Sequence, residues 1–171
     1  MNIRRILLVF VCAAAGLLTG CKVTYSLSGA SIPPSAKTVS VAYFPNNATL
    51  VSPTLSSTLT EALQDRFSRQ TKLTLVPEGG DLSFEGEIIG YNVTPAAVTS
   101  DDMAAMNRLT ITVRVTYKNI IDPTYDFSNK TFNAFQEYPS SQDLSAAEGT
   151  LIPELVEVLV EDIFNAAVSN W

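Results

Sequence analysis

The 171-residue chain contains no histidine and only two cysteines, Cys12 and Cys21. Without histidine it lacks the commonest general base and the commonest protein metal ligand, and Ser-His-Asp and Cys-His catalytic arrangements are excluded. It also has no Asp-x-Asp-x-Asp-Gly calcium loop and no glycine-rich phosphate-binding loop. We therefore predict that the protein is not an enzyme and that it carries no metal site and no cofactor.

The N-terminus has the pattern of an export signal. Arg4 and Arg5 precede an apolar stretch, residues 6–18, that is too short to span a membrane. The stretch ends in Leu-Thr-Gly-Cys at positions 18–21, which looks like a bacterial lipobox, so Cys21 is predicted to be acylated and to become the first mature residue. An ordinary signal peptide, cleaved nearby to leave Cys21 as a free thiol, is the alternative. We favour acylation because an unpaired cysteine is unusual in a secreted chain.

Removal of residues 1–20 would leave 151 residues, enough for one domain with a hydrophobic core. This cleavage removes two arginines and no acid, so the net charge changes from −6 to about −8. A chain this acidic will not bind nucleic acid nonspecifically, and no nucleic-acid partner is predicted. We predict a lipoprotein signal peptide at 1–20, a lipidated tether at 21–37 and a single α/β domain at 38–171.

Apolar periodicity predicts strands and helices in a definite order along this domain. The predicted elements are a strand at 38–44, a helix from 53 to about 70, strands at 73–76, 82–93, 109–118 and 127–138, and a helix from 143 nearly to 171. Ser52 is the predicted N-cap of the first helix, with Pro53 in its first turn. In the strand at 82–93 the apolar alternation changes phase at Ile88-Ile89, beside glycines, which predicts a β-bulge.

Pro153 complicates the last helix. Either it kinks a helix that begins near Ser145, or Thr150 caps a restart that places Pro153 within the first turn; we favour a restart or a bend. The predicted buried stripes of the two helices are Leu55, Leu59, Leu63 and Phe67, and Ile152, Leu155, Leu159, Ile163 and Ala166.

These elements predict an α+β fold, a two-layer α/β sandwich with two helices packed on one face of a mostly antiparallel sheet of four to five strands. A mixed sheet stays open, because the first strand is joined to the rest through a helix and can pair in parallel. The opposite sheet face would be left uncovered.

The predicted strand 109–118 provides the candidate contact residues. Its polar face carries Arg114 and Lys118 among threonines, and Arg108 lies at its start. A small basic and hydroxyl surface on an acidic protein suits an anionic or phosphorylated ligand. Ordinary solubilising charge is the alternative. Glu85 and Glu87 share one strand face, and we interpret them as surface acids rather than as a catalytic pair.

Several stretches resemble the LptE-like lipoproteins of Bacteroidetes, over nearly the whole mature chain. The stretches are Tyr25–Pro34, Ala36–Val41, Tyr43–Asn46, Pro53–Ser56, Gly80–Glu87, Asn107–Ile111 and Val160–Val168. Pro153 is a departure from the family pattern that affects the start of the last helix.

The resemblance implies a lipoprotein of the lipopolysaccharide transport machinery, anchored by its N-terminal lipid at the periplasmic face of the outer membrane. Its implied partners are lipopolysaccharide and an LptD-like outer-membrane β-barrel translocon, for which it would act as plug and assembly partner. Lys22 after the lipidated cysteine fits outer-membrane sorting. The implied fold is two helices on a small sheet, and no ligand motif carries over by residue.

A second hypothesis belongs to a different class: a membrane-anchored periplasmic module that binds a lipid or a protein independently of any barrel. That hypothesis predicts an internal apolar pocket, whereas the strands show one polar face. Direct binding of lipopolysaccharide is left open by both hypotheses.

Overall fold

The computed structural model describes residues 32–96 and 106–168. They form β1 (Thr38–Val41), α1 (Leu55–Gln70), β2 (Thr74–Leu75), β3 (Leu82–Pro95), β4 (Met106–Asn119), β5 (Phe127–Pro139) and α2 (Leu144–Val168), with a 3-10 turn at Pro123–Tyr125. No helix within these two ranges is long and apolar enough to cross a bilayer. The predicted lipobox, Cys21 and most of the predicted tether lie outside the described residues.

The five strands form one sheet in the order β2-β1-β3-β4-β5. β1 is parallel to both β2 and β3, whereas the β3–β4 and β4–β5 pairs are antiparallel. The α+β prediction with two helices is confirmed, and the sheet is mixed. The parallel pairing of β1 with β2 follows from the connection, because α1 carries the chain back along the sheet before β2 begins.

Both helices cover the same face of the sheet. α1 contacts β1 and β2, α2 contacts β4 and β5, and the two helices contact each other. Along β4 the alternate residues from Leu109 to Tyr117 are at most 1% exposed, while the residues between them are half-buried. Aromatic rings join the layers: Phe84 of β3 lies 4.8 Å from Phe67 of α1 and 4.7 Å from Tyr117, between ring centroids. The core therefore lies between the helices and one sheet face.

α1 begins later than the sequence predicts. Its first residue is Leu55, and its N-cap residue Thr54 makes no side-chain cap hydrogen bond to any described residue. The predicted N-cap, Ser52, is buried in the preceding turn, where its carbonyl accepts from the Leu55 N–H at 3.4 Å and its hydroxyl has no partner among the described residues. The predicted cap is wrong because Ser52 lies too early for its side chain to reach the helix N–H groups. The end at Gln70 and the buried stripe are confirmed.

β3 contains the predicted bulge. Ile88 pairs with Val113 and Gly90 with Thr112, so Ile89 is the extra residue. Before the bulge Phe84 and Ile88 face the core, and after it Tyr91 does, so the strand keeps one buried face through a change of phase.

α2 is one continuous helix with Pro153 in its interior, so of the two favoured alternatives, a restart or a bend, the restart at Thr150 is wrong. Its start at Leu144 agrees with the alternative prediction of a helix that begins near Ser145. Pro153 has no N–H to donate to the Gly149 carbonyl one turn earlier. The helix nevertheless continues, because the apolar residues on either side of Pro153 are buried against the core: Leu151, Ile152, Leu155 and Val156. Of the predicted stripe only Ala166 is less than buried; the full stripe is wider and also includes Ala147, Val160, Phe164, Ala167 and Val168.

Candidate functional site

The sheet face away from the helices carries all three predicted contact residues, and we call it the open face. It consists of the outward side chains of β3, β4 and β5. Strand register aligns them in rows across the sheet: Ser83 with Lys118, Glu85 with Thr116, Glu87 with Arg114, Gly90 with Thr112, Asn92 with Thr110 and Phe135, and Thr94 with Arg108 and Glu137.

Arg114 forms an ion pair with its cross-strand neighbour. Its Nη1 donates to Glu87 Oε1 at 3.0 Å, and Glu87 Oε2 accepts from the side-chain amide of Asn47 at 2.6 Å. The arginine and glutamate side chains are 43% and 31% exposed. An ion pair this exposed contributes at most about 1 kcal/mol to stability. A competing anion can therefore displace Glu87 from Arg114 at low cost.

Arg108 lies at the other end of the open face and is also paired. Its Nη2 and Nε donate to Glu137 Oε1 at 2.7 and 3.2 Å. The guanidinium also lies over the Phe135 ring, 4.4 Å from the centroid, in a cation–π contact. Phe135 is 56% exposed, so Arg108 and Phe135 together present an apolar and basic surface to solvent.

Lys118 is exposed, and among the described residues it has no ion pair and no hydrogen bond. It lies ten residues along β4 from Arg108, a separation of about 34 Å in an extended strand. The structure thus brings Arg108, Arg114 and Lys118 onto one face but spreads them along it. Their three positive charges are balanced by the carboxylates of Glu85, Glu87 and Glu137 on the same face.

A concave region adjoins the Lys118 end of the open face. It has a volume of about 720 Å³ and includes Ser83, the cross-strand partner of Lys118. Its walls include the exposed side chains of Tyr43 and Ile120, and Glu85 also lines it. Large apolar side chains that remain exposed beside polar groups are typical of contact surfaces for partners.

The sequence interpretation missed Phe135 as a surface residue. Phe132 and Ala134 face the core, so strand alternation places Asn133 and Phe135 on the open face. The signal was present in this period of two. It was obscured because Phe132, Phe135 and Tyr138 are spaced three apart and do not follow one strand face.

The titratable groups whose pKa is perturbed serve the fold. Burial, together with a 2.6 Å hydrogen bond that its hydroxyl donates to Glu148 Oε1, holds the pKa of Tyr91 well above its usual range. Burial raises the pKa of Tyr117 to about 12. In the parts of the chain that the structure describes, no cluster of three or more cysteine or acidic side chains could hold a metal ion.

Comparison with known proteins identifies a family that this chain matches. The family model LptE, described as lipopolysaccharide-assembly, matches residues 36–167. A search of curated proteins finds no match. An uncharacterized lipoprotein B from Nitrosomonas europaea, solved by NMR, superposes with a TM-score of 0.50 at 14% identity, covering 85% of this chain and 88% of that one. A protein from Xanthomonas campestris superposes with a TM-score of 0.50 at 10% identity, covering 79% and 87%. At these identities the two structures are similar to this chain in fold alone.

Proposed function

The chain belongs to the LptE family of lipopolysaccharide-assembly proteins, and from this premise we propose that it is a lipid-anchored, non-catalytic partner of an LptD-like outer-membrane β-barrel translocon. In this role it acts as the plug of the barrel and assists its assembly. The observation that carries the proposal is the family match over residues 36–167, which includes every strand and nearly all of both helices. The family membership itself assigns the protein to lipopolysaccharide assembly in the cell envelope.

The anchor in this proposal is Cys21. Residues 1–20 are removed as a signal peptide, Cys21 is acylated, residues 21–37 form the tether, and residues 38–171 form the domain at the periplasmic face of the outer membrane. Each buried CH₂ of an acyl chain contributes about 0.8 kcal/mol, so two or three chains give a permanent anchor. Metabolic labelling with an alkyne palmitate should mark the native chain and not the Cys21→Ser variant. Equal labelling of both would place the lipid elsewhere and contradict this anchor.

The open face is the surface that we assign to the barrel and to lipopolysaccharide. Its exposed ring of Phe135, with Arg108 above it, has the aromatic and arginine chemistry of energetic centres in protein interfaces. The exposed ion pairs of Arg108 and Arg114 can exchange their carboxylates for phosphate groups. Within residues 32–96 and 106–168, Lys118 has no carboxylate partner to exchange.

Site-specific photo-crosslinking in cells tests the partner and the surface together. A benzoylphenylalanine at Thr112, in the middle of the open face, should crosslink a large barrel protein. The same residue at Val158, an exposed position on α2, is the matched control and should not. A barrel captured only from Val158 would refute the assignment of the surface. Capture from neither position, with no barrel recovered from solubilised membranes, would refute the barrel partnership.

Depletion of the protein tests the assembly role. Loss of the protein should reduce lipopolysaccharide at the cell surface and leave the barrel misfolded, as measured by its mobility on unheated gels. A surface that keeps its normal lipopolysaccharide and a correctly folded barrel after depletion would contradict the role.

The lipopolysaccharide contact is tested with one charge change at two exposed lysines. Lys118→Glu on the open face should weaken binding of purified lipopolysaccharide about fivefold, the effect of losing roughly 1 kcal/mol of surface charge interaction. Lys72→Glu, on the loop after α1, makes the same change in net charge away from the open face and should have little effect. Equal affinities of both variants would mean that Lys118 is an ordinary surface charge and not a lipopolysaccharide contact.

A further inference from the structure

A groove lies between α1 and α2 on the side of the helices away from the sheet. Its volume is about 390 Å³, within the usual range of small-molecule sites. Ala62 of α1 and Val156 and Val160 of α2 form its apolar walls, and Pro153 lies at one end. The polar residues that line it include Asp65, Arg66, Arg69 and Glu157.

Arg66 is the unusual residue of this groove. Its guanidinium lies over the Phe164 ring, 5.3 Å from the centroid. Its Nε is buried and has no hydrogen-bond partner in the part of the chain that the structure describes. No described carboxylate lies within 4 Å of it. The neighbouring Asp65 is instead bound to Arg69 at 2.7 Å. Arg66 thus differs from Arg108, Arg114 and Arg69, which all have carboxylate partners.

The Arg66 guanidinium and the apolar walls beside it indicate which kind of ligand the groove could bind. The Arg66 guanidinium has no carboxylate partner among the described residues, so a ligand that brings an anionic acceptor to its accessible Nη groups gains a charge-assisted hydrogen bond. The walls formed by Ala62, Val156 and Val160 favour an apolar portion next to that anion. A single chain with an anionic head fits both features.

We propose that the groove between α1 and α2 binds an acyl amphiphile with an anionic head group, and that Arg66 binds the head group while Ala62, Val156 and Val160 contact the chain. This site is on the opposite side of the domain from the open face and uses none of its residues. Its test uses the chain without a barrel.

Photolabelling of the full chain in phosphatidylcholine nanodiscs tests the site. The probe is dodecyl phosphate with a diazirine at the end of the chain, and labelled positions are mapped by mass spectrometry. The label should fall on α1 and α2 residues of the groove. An excess of unlabelled dodecyl phosphate should displace it, whereas equal concentrations of dodecanol or inorganic phosphate should displace it far less.

Two substitutions that each remove one positive charge provide the decisive comparison. Arg66→Gln should reduce groove labelling about tenfold, equivalent to about 1.4 kcal/mol. The control, Lys72→Gln, removes one charge from an exposed residue after α1 that does not line the groove, and it should change labelling less than twofold. Thermal unfolding of each variant checks the fold. If Arg66→Gln unfolds, Ala62→Phe, which fills the groove and keeps Arg66, should abolish the labelling.

Three results would overturn the proposal. Unchanged labelling of a folded Arg66→Gln chain would remove the role of the guanidinium. Displacement by inorganic phosphate as effective as by dodecyl phosphate would indicate a simple anion site. Labelling confined to residues outside α1 and α2 would show that the groove is not the site.

Discussion

Replacement of Pro153 by alanine should stabilise the domain, because Pro153 lies in the interior of α2. A proline in a helix interior costs about 3 kcal/mol, through the lost hydrogen bond and the clash with the carbonyl four residues earlier, here that of Gly149. Proline also lowers the conformational entropy of the unfolded chain. Its replacement therefore lowers the free energy of unfolding by about 0.4–1 kcal/mol, which offsets part of the gain. Pro153 is exposed, so little packing is lost. The net gain is about 2 kcal/mol.

The gain should appear as a rise in Tm of about 4–8 °C in thermal unfolding followed by circular dichroism. Glu154→Ala, at the exposed neighbouring position, is the control and should change stability by no more than about 0.5 kcal/mol. The new alanine amide should also be protected from hydrogen exchange. An unchanged or lower Tm would refute the reasoning, because a proline in the first turn of a helix restarted near Thr150 would have no cost to relieve.

Three further substitutions, one of them with a matched control, probe contacts that hold β1, β3 and α2 together. Gly80→Ala should lower the free energy of unfolding in urea by about 3 kcal/mol, because its Cβ would meet three backbone atoms at 2.5–2.8 Å. The control Gly79→Ala has open space around the new Cβ but a φ of +67°, and it should cost about 1 kcal/mol. Two backbone N–H donors at the start of β1 lower the pKa of Asp81 below its usual value of 3.8. The ionised carboxylate therefore stabilises the fold above pH 3.8, and this stabilisation is lost as the pH falls through the pKa of the folded state. Asp81→Asn should flatten the acid limb of a stability–pH profile. Tyr91→Phe removes the hydrogen bond to Glu148 and should lower the free energy of unfolding by about 1–2 kcal/mol, and a loss below 0.3 kcal/mol would show that this bond does not join β3 to α2.

Periodicity in the sequence was sufficient to predict local structure where one physical effect dominates. Along β4 the alternation of apolar residues with threonine and cations predicted the buried and open faces, because burial against the helices requires a period of two. The phase change at Ile88-Ile89 predicted the bulge, because an extra residue is the simplest way to keep one buried face through it.

The errors occurred where a local preference competed with burial. A serine before a proline is a good helix start by local chemistry, yet Ser52 is buried in the preceding turn. Pro153 disfavours a continuous helix locally, yet Leu151, Ile152 and Leu155 bury the face that continues through it. In both cases the pattern of apolar residues over many positions outweighed the preference of one residue.

Contacts between distant residues could not be predicted from periodicity. The face of Arg114 follows from alternation, but its pairing with Glu87 depends on the register of β3 against β4, which the bulge shifts by one residue. Similarly, the groove beside Arg66 requires two helices separated by more than 70 residues to pack with Ala62 opposite Val156 and Val160. The sequence alone showed which residue types each site contains, but it did not show which residues would lie next to one another.

The two candidate surfaces differ in whether their arginines already have carboxylate partners, and this difference suits them to different ligands. On the open face Arg108 and Arg114 have exposed carboxylate partners, so a ligand there must replace an existing contact and gains specificity more than affinity. In the groove Arg66 has no carboxylate partner among the described residues, so a ligand there would not have to displace one. The open face and the groove lie on opposite sides of the domain and consist of different residues. Crosslinking from Thr112 and labelling beside Arg66 can therefore succeed or fail separately, and each outcome tests one surface.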